Sequence, residues 1–151
     1  MRRFEQRIRK TIALCRIVRI QFFQFPFCVV RDDFKLGRNV FGVYLVAFAR
    51  GMKIVVVSMG GQGAWFITKN EAVHAKPPRV RVASTVGAGD AMVAGTIRGL
   101  LLKRDMAEMA RTATAYSASN IEHVGTYLPS QQRIEQLKGW VVITREGEER
   151  K

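Results

Sequence analysis

Apolar and polar positions divide the chain into two unlike parts. From Lys53 onward they form clean, short runs. Ile54-Val55-Val56-Val57 is β-branched and apolar at every position, which predicts a buried parallel strand. Ala64–Thr68 and Ala72–His74 flank Lys69-Asn70-Glu71 and predict a hairpin, which Lys76-Pro77-Pro78 ends. Val80–Ala83 reads as a further short strand. Small and apolar residues over Ala91–Leu102 predict a packed helix. Asp105, with Glu108 three residues on, predicts the start of a helix that runs to about Ser119. Gly125–Pro129 reads as a loop. Ser130 is placed to cap a last helix, Gln131–Leu137, with Gly139 as its stop. Glu146–Lys151 reads as a charged tail.

Residues 1–50 lack such periodicity. Gln21–Phe27 is rich in aromatics without turn residues, and Val40–Ala49 is an apolar run compatible with a strand or a buried helix. The reading therefore divides the chain into an unassigned basic segment, 1–50, an α/β unit, 51–139, and a tail, 140–151. Strands alternating with helices in the second part predict a mostly parallel sheet. An open parallel sheet of this size leaves an apolar edge, which makes a homo-oligomer possible.

The 151 residues suffice for one domain. The net charge is +13, of which residues 1–50 carry +8. No nucleic-acid-binding motif accompanies that excess, so specific nucleic-acid binding is not expected. Arg16 and Arg19 interrupt the apolar stretch Ile12–Val30, which excludes a membrane helix there and argues against a secretion signal. Cys15 and Cys28 have no metal-ligand spacing and form no disulfide framework, so no metal ligand is assigned and a cytoplasmic location is expected.

The chemistry concentrates in Ser84-Thr85-Val86-Gly87-Ala88-Gly89-Asp90, at the start of a predicted helix. Glycines at such a junction let backbone N–H groups converge, and the helix dipole makes that point electropositive. It is a place for a phosphate, with the Asp90 carboxylate beside it. Taken alone, the run also fits a tight turn with an Asp stabilising the helix start. A second glycine-rich turn, Ser58-Met59-Gly60-Gly61-Gln62-Gly63, follows the buried strand. Turns at the carboxyl ends of neighbouring strands are where open α/β sheets bind ligands. Neither turn has Walker A or dinucleotide-fold spacing. His74, His123, Trp65, Trp140, Met106 and Met109 read as surface or packing residues, and Arg79, Arg81 and Arg98 as solvated charge.

The stretch STVGAGDAMVAG, Ser84–Gly95, resembles the C-terminal signature of the ribokinase-like, PfkB-type carbohydrate kinases. VVVSMGGQGAW and AKPPRVRVASTVGAGDAMVAG resemble its phosphosugar branch, and the resemblance covers residues 50–137. It implies part of a three-layer αβα fold and ATP-dependent phosphorylation of a sugar phosphate. The acceptor it implies is fructose 1-phosphate, giving fructose 1,6-bisphosphate, with fructose 6-phosphate and tagatose 6-phosphate as rivals. Asp90 would be the base. The amides of Gly87, Ala88 and Gly89 would form the anion hole for the γ-phosphoryl group. Ser58, Gly60, Gly63, Gly89, Asp90 and Asn120 would bind ATP, whose phosphates carry Mg²⁺ in this family. Ala113–Gly125 would close over the adenine. The family's Asn-x-x-Glu motif does not occur before Ser58, and members are longer than this chain. The reading thus carries an alternative, a truncated or frame-disrupted remnant that retains part of a nucleotide-binding fold without catalysis.

Overall fold

The computed structural model describes residues 51–125 and 127–146, together with the backbone of two strands nearer the N-terminus. The apolar run Val40–Ala49, Cys15 and the tail beyond Glu146 lie outside the described residues. Among the described residues six strands form one sheet in sequential order: β1 Ile17–Val18, β2 Phe27–Arg31, β3 Ile54–Ser58, β4 Ala64–Ile67, β5 Ala72–Lys76 and β6 Val142–Arg145. Between β5 and β6 come three helices, α1 Ala88–Leu101, α2 Met106–Ile121 and α3 Gln131–Trp140.

The expected parallel sheet is corrected by the pairing. Among the described strands only β2 and β3 run parallel, whereas β1–β2, β3–β4, β4–β5 and β5–β6 are antiparallel. For β3–β4 and β4–β5 connection length is the cause, because a parallel pair needs a crossover of a dozen or more residues. The links from β3 to β4 and from β4 to β5 are too short for one, so they form hairpins. The second is the expected hairpin. Thr68 closes it by donating its N–H to the Glu71 carbonyl at 2.9 Å, while its Oγ1 accepts from the Asn70 and Glu71 amides.

Alternation along the strands divides the core between two faces. Val56, Ala64, Phe66, Val73 and Ala75 pack with Met92 and Val93 of α1 and with Met109, Ala110 and Ala113 of α2. Val55, Val57 and Ile67 gather on the opposite face and are also buried. Among the described residues the helices cover the first of these faces. Helices α1 and α2 pack closely because small residues meet at their seam. A Cβ on Gly95 would stand 2.6 Å from Ala113 Cα, which leaves no room for a side chain. Thr96, fully buried in the same helix, spends its hydroxyl on the Met92 carbonyl at 2.8 Å.

Both predicted helix caps are present. Asp105 accepts from the Glu108 amide at 2.7 Å, and Ser130 Oγ accepts from the Arg133 amide at 3.2 Å. Truncating the first cap, Asp105→Ala, is expected to cost about 1 kcal/mol, readable as a shifted midpoint in urea unfolding.

Two further expectations are corrected. Val80–Ala83 is not a strand. Pro77 and Pro78 offer no N–H to a ladder, and the Ala83 amide donates instead to the Ile121 carbonyl at 2.7 Å, at the end of α2. Residues 140–151 are not simply a tail, since β6 arises there and pairs with β5. Gly139 does not stop α3, which continues to Trp140 before Val141 turns the chain into the strand.

A charged cluster ties α2 to α3. Lys138 Nζ lies 2.5 Å from Glu108 Oε1 and 3.1 Å from Glu135 Oε2. Burial pulls its pKa down, but the hydrogen bonds it donates to Glu108 and then Glu135 outweigh that and hold it above the ordinary value of 10.5. The cluster's stability is therefore fully present below about pH 10.5 and is lost as pH rises through the raised folded value. Unfolding free energy should fall above that pH, and Lys138→Met should flatten the fall.

Candidate active site

Two glycine-bearing turns carry the candidate residues. The first joins β3 to β4. Ser58 ends β3, opposite Ala64 in the ladder, and Gly60–Gln62 form a single 3₁₀ turn. Met59 donates its amide to the Gly63 carbonyl at 2.7 Å, and Gly63 donates its own to Gly60 at 3.0 Å. Gly63 is buried with φ of +99°, and its α-carbon faces the β5 backbone so closely that a Cβ would lie 2.2 Å from the Ala75 carbonyl oxygen. His74 Nε2 meets the Gln62 carbonyl at 3.0 Å, and its ring lies 4.9 Å from that of Trp65. His74 therefore braces this turn, in keeping with a structural role.

The second turn leads into α1. Val86 donates its amide to Ser84 Oγ at 3.2 Å, which folds the chain back before Gly87. Gly87 is the N-cap residue, in the left-handed region at φ +82°, and no side chain caps this helix. A left-handed residue followed by right-handed ones aims consecutive N–H groups at one point, an anion-binding concavity. Ala88 makes only a long bond, 3.4 Å, to the Thr85 carbonyl. The helix starts three residues before the predicted Ala91, which places Ala88, Gly89 and Asp90 in its first turn, where N–H groups lack intrahelical partners. Asp90 is exposed at that end of the dipole, as is Gly89. The turn follows an unpaired segment and not a strand, so only the first turn lies at a strand's carboxyl end.

The end of α2 completes the second turn. Helices α1 and α2 run antiparallel, and this brings Asn120 to Gly87: a Cβ there would stand 3.3 Å from Asn120 Oδ1. That oxygen is buried and has no hydrogen-bond partner. The Ile121 carbonyl receives the amides of both Ala83 and Ser84, at 2.7 and 3.3 Å. Asn120 thus stands beside Gly87, which leads into Ala88, Gly89 and Asp90 in the first turn of α1. Ser58, Gly60 and Gly63 form a separate turn. The Ile121 carbonyl carries no side-chain signature, so sequence reasoning missed it.

Beyond Asn120 the loop is ordered by side chains. His123 stacks on Tyr127 with ring centroids 3.6 Å apart. Glu122 takes Arg133 Nε at 3.0 Å and Nη2 at 2.5 Å in a forked ion pair. The Glu122 hydrogen bond holds the Arg133 pKa above its ordinary value. Val86, Val124 and Leu128 leave exposed apolar surface around this end, with Val86 81% exposed.

Uncapped, left-handed glycine geometry at a helix start fits a phosphate group, and so fits the phosphates of ATP. Among the described residues no group of three His, Cys, Asp or Glu could hold a metal ion. No helix among the described residues is long and apolar enough to cross a membrane.

The arrangement defines an α/β protein of the ribokinase-like class. Ribokinase from Thermotoga maritima shares the fold at a TM-score of 0.63 and 21% identity, over 74% of this chain and 41% of that one. Phosphofructokinase-2 from Escherichia coli, solved with substrates and products, matches at 0.62 and 30% identity, over 69% and 34%. The family profile described as "pfkB family carbohydrate kinase" matches residues 5–133, and the chain belongs to that family. The match begins within the segment that the motifs leave unassigned. Over 114 residues the chain is 44% identical to the 1-phosphofructokinase of Rhodobacter capsulatus, covering 72% of this chain and 36% of that protein. The chain thus spans about a third of the length of such relatives.

Proposed function

We propose that the Ser84–Asp90 turn binds the phosphates of ATP and serves phosphoryl transfer to a sugar phosphate. The observation that carries this is the uncapped helix start behind left-handed Gly87, with Asp90 in its first turn. In this reading the amides of Gly87, Ala88 and Gly89 stabilise charge on the transferring phosphoryl oxygens through fixed dipoles. Asp90 takes the proton from the acceptor hydroxyl as the new P–O bond forms and the bond to ADP breaks. Ser58, Gly60 and Gly63 line the ATP site, and Asn120 contributes its buried amide. Residues 51–139 form the ATP-binding part of the kinase domain.

The acceptor we favour is fructose 1-phosphate, which would give fructose 1,6-bisphosphate. The likeness to a 1-phosphofructokinase supports this choice over fructose 6-phosphate and tagatose 6-phosphate. A second reading is nucleotide binding without transfer, since transfer depends on an acceptor held in place beside the turn. A coupled ADP-release assay with each of the three sugar phosphates separates the readings. Turnover fastest with fructose 1-phosphate supports the first; ADP binding without turnover on any acceptor supports the second.

A further inference from the structure

The last turn of α2 is a junction. Its Ile121 carbonyl holds the Ala83 and Ser84 amides, and its Asn120 side chain stands beside Gly87. The next residue, Glu122, is the C-cap of α2. A carboxylate at that position faces the negative end of the helix dipole, which opposes it. Arg133 offsets that charge with two nitrogens in a planar fork, a geometry that fixes direction as well as charge. Arg133 is itself well anchored. Its amide closes the Ser130 cap, its Nη1 reaches Gln136 Oε1 at 3.3 Å, and its guanidinium lies 5.6 Å from the centre of the Trp140 ring. Helix α3 beneath it is seated by Ile134 and Leu137 against Ala115 and Ala118 of α2.

We propose that Arg133 is a positioning residue for the phosphate turn, acting through Glu122. The guanidinium holds the C-cap of α2 in place, and that end in turn holds Ala83, Ser84 and the Asn120–Gly87 contact. The inference rests on the reading of this turn as a nucleotide-phosphate site. It carries an asymmetry that simple structural support lacks. Removing Arg133 alone leaves an unbalanced carboxylate at the helix end, whereas removing both charges does not.

The test is calorimetric binding of a non-hydrolysable ATP analogue, which keeps the γ-phosphate, to the full chain, with the KM for ATP and kcat followed wherever turnover is measurable. Arg133→Gln should weaken the analogue about tenfold and raise the KM for ATP in step, leaving kcat within about twofold, an effect within the range for coupled groups. Adding Glu122→Gln to it should restore most of the affinity. Arg133→Lys, which keeps the charge but loses the fork, should fall between and remains informative where Arg133→Gln does not fold. Asp105→Ala, at the far end of α2, serves as the stability control and should leave the analogue's affinity unchanged. If the unaltered chain does not bind the analogue, the phosphate-site reading falls and this inference with it. If it binds, two results each overturn the inference alone. One is an unchanged affinity in Arg133→Lys or Arg133→Gln. The other is an equal loss in the double variant, or in Asp105→Ala.

Discussion

Asp90→Asn is expected to lower turnover on the sugar phosphate by roughly 10²–10⁴-fold, the usual contribution of a positioned base. The substitution keeps the size of the side chain and leaves the first turn of α1 intact. Its amide no longer takes the hydroxyl proton. The helix start and its amides are untouched, so ADP binding should stay close to that of the unaltered chain. Measuring both in parallel is decisive. A variant with a near-normal rate removes Asp90 from the chemistry. One that loses ADP binding along with turnover shows that the carboxylate serves the shape of the turn. Asp90 is exposed, so the change should cost little stability.

The second large effect concerns folding. Gly63→Ala should destabilise the protein by about 3 kcal/mol or more, the sum of two separate penalties. The backbone φ of +99° lies where a side chain is strained, at roughly 1–3 kcal/mol. The new methyl would also meet the Ala75 carbonyl oxygen at 2.2 Å and Lys76 Cα at 3.1 Å, and these backbone atoms belong to a ladder strand. Relief requires β4 and β5 to part, at a cost of the order of an overpacked core. A thermal melt should show a drop of about 10 °C or more. Gly61 makes the comparison, since a Cβ there meets nothing within 4 Å and its φ lies outside the strained range. Gly61→Ala should melt near the unaltered protein. Equal melts for both variants would mean that the turn shifts freely.

Much of this architecture was legible in the residues. The Ile54–Val57 run, the hairpin around Lys69-Asn70-Glu71 and the caps Asp105 and Ser130 are local signals, and each is where the pattern places it. The start of α1 was readable to within one turn, because the glycines announce a junction but not which of them is the cap. Val80–Ala83 misled because its composition suits a strand, while pairing depends on a neighbour that the segment never meets. Strand β6 carried a β-branched signal in Val141-Val142-Ile143-Thr144, but its short length and its place beside a charged end made it resemble a tail.

The site divides in the same way. Gly87, Ala88, Gly89 and Asp90 are consecutive in the chain, so the turn they form at the start of α1 is legible in the residues. The Arg133–Glu122 fork joins residues eleven apart across a loop, and no spacing rule singles them out.

By itself the sequence determined the local elements, the family signature and the glycine turn before α1, because these depend on neighbours within a few residues. Only the tertiary structure decided the antiparallel sense of most of the sheet, the seating of β6, and the meeting of Asn120 and the Ile121 carbonyl with the turn at Gly87. Those contacts depend on which helix end arrives beside which loop. The close seam of α1 and α2 at Gly95 and Ala113 settles that, and its effect appears only when both helices are packed.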